Sequence, residues 1–292
     1  MKTVGIIGLG IMGSAMSANL LKAGFKVFGY DIAPKARAAF KRMGGTPVSS
    51  IAEIETGIVI TSLPSAQALH SVAGQLVLKK QIVVETSTLP IEDKVRARDV
   101  LKKKGIILLD CPLSGTGAQA RTGDLSVYGS GNRKSFHKTI PVLKGFSRAH
   151  YFLGEFGNGS KMKYVANLMV AIHNVSAAEA FVLGMKAGLP PEMIYRVAGD
   201  GAGSSRMFQV RGPMMVAGDY RDATMKNEMW QKDMKIIGGY ARKLGVVAPL
   251  FNASAAVYKA AMAQGFEKQD TAAVCAVLER RARLRRQRKA SR

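Results

Sequence analysis

The sequence predicts an α/β fold, with an N-terminal doubly wound parallel sheet of the Rossmann type and an all-helical C-terminal domain. Three observations predict it. Short Val- and Ile-rich runs alternate with helical patterns through the first half of the chain. A glycine-rich hexapeptide joins the first run to the first helix. Beyond about residue 160 the β-like runs stop, and Ala-, Met- and Leu-rich helical periodicity replaces them.

The strand candidates are Thr3–Ile7, Lys26–Tyr30, Ile58–Thr61, Ile82–Glu85, Ile106–Asp110 and Leu125–Gly129. Near-continuous apolar runs of this length, separated by helical patterns, are what a parallel sheet covered on both faces requires. The first helix is expected from about Ile11 to Ala23. Later helices are expected over Lys161–Lys186, Glu192–Gly199, Trp230–Leu244 and Ala248–Gln264. Gly188-Leu189-Pro190-Pro191 breaks the first of these later helices, and Gly245 ends another. The reading gives residues 1–162 to a nucleotide-binding domain. Residues 163–292 form a helical substrate and oligomerisation domain with a basic tail.

The 292 residues carry a net charge of +23. Glu279–Arg292 holds eight basic residues and one acidic one, which supplies +7 of it. Such a balance favours anionic partners in general, and a solvated basic helix end is its plainest reading. The two cysteines have no metal-ligand spacing and imply no disulfide framework. The four histidines likewise show no ligand spacing, so no metal is expected. The first apolar run is short and flows into the glycine motif, unlike a signal peptide. No unbroken apolar stretch approaches the ~20 residues that span a bilayer. The expectation is a cytoplasmic protein with no membrane partner.

Gly8-Leu9-Gly10-Ile11-Met12-Gly13 fits the pattern G-x-G-x-x-G. It follows a strand and opens a helix, the context in which this weak motif becomes informative. Gly8 permits the tight turn, Gly10 lets the backbone approach a pyrophosphate, and Gly13 allows close helix–strand packing. The helix start supplies N–H donors and partial positive charge. Asp31 ends the second strand, 18 residues beyond Gly13. A carboxylate there accepts from ribose hydroxyls and repels a 2′-phosphate. NAD is therefore favoured, while nearby Lys35 and Arg37 keep NADP open.

Four segments resemble the β-hydroxyacid dehydrogenases, the family of 3-hydroxyisobutyrate dehydrogenase, tartronate semialdehyde reductase and the glyoxylate/succinic semialdehyde reductases. They are Gly8–Leu21 (GLGIMGSAMSANLL), Asp110–Leu125 (DCPLSGTGAQARTGDL), Gly157–Asn167 (GNGSKMKYVAN) and Lys232-Asp233. The resemblance runs from Met1 to about Gln264. It implies that Ser114, Gly115 and Thr116 hold the substrate carboxylate, with Thr116 standing where the family has a second glycine. It makes Lys163 the catalytic acid/base and Asn167 its companion, with Ala166 in place of the first residue of an asparagine pair. Lys232 is implied at the substrate or nicotinamide end. Leu63, Pro64, Ser65 and Thr88 are implied as further cofactor contacts. Family members are dimers or tetramers, so a homodimer or homotetramer is expected.

The lysine also makes sense chemically. Taking a hydride from an alcohol requires removal of the hydroxyl proton, which a lysine of lowered pKa performs. Lys163 and Asn167 are four residues apart and share one helix face. Lys232 adds positive charge that attracts a carboxylate. The expected activity is hydride transfer between NAD(P) and a small β-hydroxy acid resembling 3-hydroxyisobutyrate. Three alternatives stand beside it. Imine reductases share the fold but generally lack the lysine. A decarboxylating 6-phosphogluconate dehydrogenase would need a longer helical domain. A nucleic-acid-associated scaffold would use Arg280–Arg292.

Overall fold

The computed structural model describes residues 2–77 and 80–286. The chain forms two compact units, Met1–Tyr164 and Val165–Arg292.

The first unit is built on β1 (Thr3–Ile7), β2 (Lys26–Tyr30), β3 (Thr46–Pro47), β4 (Ile58–Thr61), β5 (Ile82–Glu85) and β6 (Ile107–Asp110). These pair all-parallel in the order β3-β2-β1-β4-β5-β6. The order reverses between β1 and β4, the switch point where ligands bind beyond the carboxyl ends of the strands. The crossovers are α1 (Ile11–Lys22), α2 (Pro34–Arg42), α3 (Ala66–Gln75) and α4 (Ile91–Lys103).

Strand alternation builds two cores. Ile6, Ile60, Val84 and Leu109 face one cluster with Met16, Leu20 and Phe40. Ile7, Val59, Val83 and Leu108 face the other, with Leu69, Val72, Ala97 and Leu101. Both faces are covered, which explains why the strands read as unbroken apolar runs. Truncating a fully buried residue such as Leu109 to alanine costs about 2–5 kcal/mol.

A second sheet follows, of β7 (Leu113–Ser114), β8 (Ser126–Gly129) and β9 (Ala149–Phe152), with α5 (Gly117–Arg121) and α6 (Arg133–Leu143). The run expected as a further strand of the parallel sheet is therefore β8 of this small sheet. It pairs antiparallel with β7 and parallel with β9. The chain turns back after β6, where Asp110 and Ser130 bridge their backbones, so β8 does not extend the main sheet.

Helix α7 (Asn158–Lys186) begins in the first unit and continues into the second. The second unit then holds α8 (Pro191–Asp200), α9 (Arg206–Ala217), α10 (Asn227–Lys243), α11 (Pro249–Ala263) and α12 (Val274–Arg281). Among the described residues α7 is the one helix long and apolar enough to cross a membrane by length and composition. It carries buried Asn167 and Asn174 and exposed Glu179.

Helix α9 was not expected, because Gly212 and Pro213 lie inside it. Both have local reasons. A Cβ on Gly212 would come within 2.4 Å of the Tyr195 ring. Pro213 has no N–H for the carbonyl of Gln209, and the Tyr195 hydroxyl donates to that carbonyl at 3.0 Å instead. Arg286 also departs from a purely solvated tail. Its guanidinium donates to the carbonyls of Met215 and Val216 at the end of α9 and pairs with Glu279. The tail beyond residue 286 lies outside the described residues.

Candidate active site

The glycine loop after β1 is shaped by two different constraints. Gly8 has φ +93°, and a Cβ there would lie 2.1 Å from the carbonyl oxygen of Ser62. A Cβ on Gly13 would lie 1.8 Å from the carbonyl oxygen of Gly8. The protein's own packing thus requires both glycines. A Cβ on Gly10 would meet nothing within 4 Å. Gly10 instead clears the outer side of the loop, at the start of α1, where the exposed Ile11 and half-buried Met12 follow.

Asp31 is fixed by this loop. Its Oδ2 accepts from the Leu9 N–H at 2.7 Å and its Oδ1 from the Ala33 N–H at 2.8 Å. Turn, helix start and anchored carboxylate fit a dinucleotide, whose nicotinamide supplies the hydride chemistry when bound.

The ends of β4 and β5 are tied to each other. The Leu63 N–H donates to Ser87 Oγ at 2.8 Å. Ser65 caps α3, its hydroxyl oxygen accepting from the Ala68 N–H at 3.2 Å. Pro64 sits between them, and Thr88, half-buried, follows Ser87.

Beyond β6 lies the loop Ser114-Gly115-Thr116. Gly115 has φ +136°, and a Cβ there would approach Leu125 Cδ2 to 2.6 Å. Thr116 is the N-cap of α5. Its N–H donates to Gln119 Oε1 at 3.0 Å and its hydroxyl lies 3.4 Å from the same oxygen. Thr116 is 8% exposed, so its side chain shapes the loop from within. The Asn19 amide donates to the Ala120 carbonyl at 2.7 Å, which ties α5 to the helix that follows the glycine loop.

The start of α7 docks onto the same edge of the sheet. Gly157 turns the chain with φ +99°. A Cβ on Gly159 would lie 2.2 Å from the Tyr128 carbonyl oxygen. The Gly159 N–H donates to Ser130 Oγ at 3.0 Å. The Ser160 N–H and hydroxyl each donate to the Asp110 carboxylate at 2.8 Å. Two of the first-turn N–H groups that have no partner within the helix, those of Gly159 and Ser160, are thereby satisfied. Lys163 follows one turn on and is 8% exposed. Lys161 faces solvent, as its register predicts, and donates to Asn158 Oδ1 at 3.0 Å.

Sequence reasoning missed Lys94, Glu85 and Asp110. Lys94 Nζ, fully buried, lies 2.8 Å from Asp110 Oδ1 and 2.6 Å from Glu85 Oε2, and donates to the Ser87 carbonyl at 2.7 Å. Burial pushes the ammonium's pKa down, but Asp110 and Glu85 outweigh it and hold it above the ordinary lysine value. The signal was present: Glu85 and Asp110 close two adjacent apolar strand candidates, and side-by-side buried carboxylates demand a cation.

In the second unit, Asn167 is 5% exposed and its Nδ2 donates to Asp233 Oδ2 at 2.9 Å. Lys232 Nζ lies 3.6 Å from the other oxygen of Asp233, with a third of its side chain exposed. The helical unit therefore brings Asn167, Lys232 and Asp233 together. The first unit carries the glycine loop, Asp31, Leu63–Ser65, Thr88, Ser114–Thr116 and Lys163.

Residues 3–154 match the family model described as the NAD binding domain of 6-phosphogluconate dehydrogenase. Residues 157–278 match the model described as the NAD-binding of NADP-dependent 3-hydroxyisobutyrate dehydrogenase. The L-threonate dehydrogenase of Cupriavidus necator is 31% identical, over 94% of this chain and 95% of that protein. Glyoxylate/succinic semialdehyde reductase 2, chloroplastic, of Arabidopsis thaliana is 29% identical, over 95% of this chain and 79% of that protein. The crystal structure of 3-hydroxyisobutyrate dehydrogenase from Salmonella typhimurium superposes with a TM-score of 0.86 at 28% identity, covering 95% of this chain and all of that one.

Fold, glycine loop and relatives together define an NAD(P)-dependent oxidoreductase acting on a CH–OH group. The chain belongs to the β-hydroxyacid dehydrogenase family, as its four motif segments implied.

Proposed function

We propose that the protein interconverts the alcohol and carbonyl forms of a small β-hydroxy acid, with Lys163 exchanging the hydroxyl proton. The observation that carries this reading is Lys163 itself. It is an 8% exposed lysine, one turn along a helix whose start is pinned to the strand leading into the Ser114 loop. Ser114 and Gly115 hold the substrate carboxylate, with Thr116 fixing the loop's shape and Lys232 adding attraction. Asn167 orients the reacting oxygen.

A short acid of the 3-hydroxyisobutyrate type suits these roles. L-threonate belongs in the same test, because relatives carry that name. NAD is the favoured cofactor. The Asp31 carboxylate is anchored against the glycine loop, and Arg37 spends its guanidinium on the Asp31 carbonyl at 2.5 Å. Gly8, Leu9, Gly10, Ile11, Met12 and Gly13 cradle the pyrophosphate, with Leu63, Pro64, Ser65 and Thr88 beside it. Exposed Leu183, Val197, Val247 and Leu250 on the helical unit suit contact between copies of the chain.

The test is nicotinamide absorbance with NAD and NADP in parallel. Oxidation is screened on 3-hydroxyisobutyrate, L-threonate, glycerate, serine and 4-hydroxybutyrate, and reduction on the corresponding semialdehydes and glyoxylate. Turnover should appear on at least one acid and fall by orders of magnitude in Lys163→Ala, with cofactor binding retained. A Lys163→Ala enzyme near the wild-type rate would overturn the assignment.

A further inference from the structure

We propose that Lys94 is a positioning residue for the reaction, a single buried cation that sets the cofactor-side Ser87-Thr88 turn and the catalytic-lysine helix in register with each other. The inference rests on the reading of Lys163 as acid/base.

The geometry is specific. The Lys94 ammonium reaches three carriers of the site at once. It touches Glu85 at the end of β5, the Ser87 carbonyl in the turn that leads to Thr88, and Asp110 at the end of β6. Each partner passes the constraint on. Glu85 Oε1 accepts from the Ser87 N–H at 2.9 Å, so both the N–H and the carbonyl of Ser87 are tied to this cluster. Ser87 Oγ receives the Leu63 N–H, which extends the constraint to the β4 loop. Asp110 receives the backbone and hydroxyl of Ser160, three residues before Lys163. The Ser130 hydroxyl lies 3.2 Å from Asp110 Oδ2 and receives the Gly159 N–H.

Stability is a poor explanation for such an arrangement. Desolvating three charges costs about what their mutual attraction returns, and apolar replacements of buried ion clusters are often neutral or stabilising. Fixed geometry is what the cluster adds: a shift of about 1 Å in an active-site group costs about 100-fold in rate.

The experiment compares wild type, Lys94→Met, Glu85→Gln, the double variant Lys94→Met/Glu85→Gln, and Lys163→Ala. The double variant removes one positive and one negative charge together and keeps Asp110 for Ser160. Turnover is normalised to sites titrated by NADH fluorescence, so loss of folded protein does not count as loss of rate. The expected result is that the double variant titrates a full complement of NADH sites, while its kcat per site falls by about 100-fold with little change in substrate KM. Glu85→Gln should fall in the same direction by about 10-fold, and it carries the test if the Lys94 variants do not fold. A kcat per site close to wild type in the double variant, or in Glu85→Gln where that variant carries the test, overturns the proposal. If Lys163→Ala keeps its rate, the underlying acid/base reading falls instead, whatever the Lys94 variants do.

Discussion

The amide of Asn167 donates to the carboxylate of Asp233 across 66 positions of sequence, at 2.9 Å and out of solvent. The bond fixes which way the amide points. The nitrogen faces Asp233, and the Oδ1 acceptor is turned to the other side. Asp233→Leu should therefore lower kcat by about 10- to 100-fold, the range seen when a partner orienting an active-site ligand is lost. Asp233→Asn should fall too, because an amide can meet Asn167 with its NH2 group and reverse it. Steady-state kinetics of the two variants check this, and equal activity to wild type would remove Asp233 from the site.

The three glycines of the loop should separate in their phenotypes. Gly13→Ala pushes a methyl group into the Gly8 carbonyl, so thermal stability should drop by several degrees or the protein should fail to fold. A Cβ on Gly10 meets nothing in the protein within 4 Å, so Gly10→Ala should hold its melting temperature while NADH affinity falls. Differential scanning fluorimetry with and without NADH distinguishes the two.

Both cysteines should be silent in the native state. Cys111 and Cys275 are fully buried, and burial pushes both thiols up, Cys275 to about 12 with Glu279 adding to it. At neutral pH neither supplies thiolate. Ellman's reagent should report no reactive thiol without denaturant and both with it, and iodoacetamide should leave turnover unchanged.

Acid should loosen the helical unit through Asp270. This buried carboxylate pairs with Arg211 at 3.0 Å. Burial pushes its pKa up, but Arg211 and the Ala272 and Met225 N–H groups outweigh that and hold it below 3.8. A depressed folded pKa stabilises the native state fully above 3.8, and the contribution is lost as pH falls through the lower folded value. Asp270→Asn leaves Arg211 buried without its counter-charge, at a cost of about 3–5 kcal/mol. Its melting temperature should start lower at neutral pH and decline less steeply on acidification than that of wild type.

How much of this could be read from the sequence depended on distance along the chain. The glycine loop, five of the six main strands and the solvated register of Lys161 are set by neighbours within a turn or a strand, and their pattern shows in the letters; the two-residue β3 (Thr46–Pro47) is too short to show. Helix α9 was hidden because Gly212 and Pro213 look like a break until Tyr195 is placed against them. Thr116 stands where the family has a glycine, and its capping bond with Gln119 shows only once the loop is folded. Of the Lys94 cluster the letters show only the two carboxylates that close adjacent strand runs, because β5 and β6 must lie in register, with Glu85 beside Asp110, before a helix lysine can be matched to them. The Asn167–Asp233 bond was hidden because it joins residues 66 positions apart.

Ser87 marks a limit for anyone wishing to retool this enzyme. Its N–H, carbonyl and hydroxyl oxygen are all engaged inside the protein, by Glu85, Lys94 and Leu63. A library that randomises position 87 removes the hydroxyl acceptor that ties the turn to Leu63, while the backbone bonds to Glu85 and Lys94 remain. Side-chain variation at Thr88 leaves all three bonds in place, so the turn can be altered there without disturbing its frame.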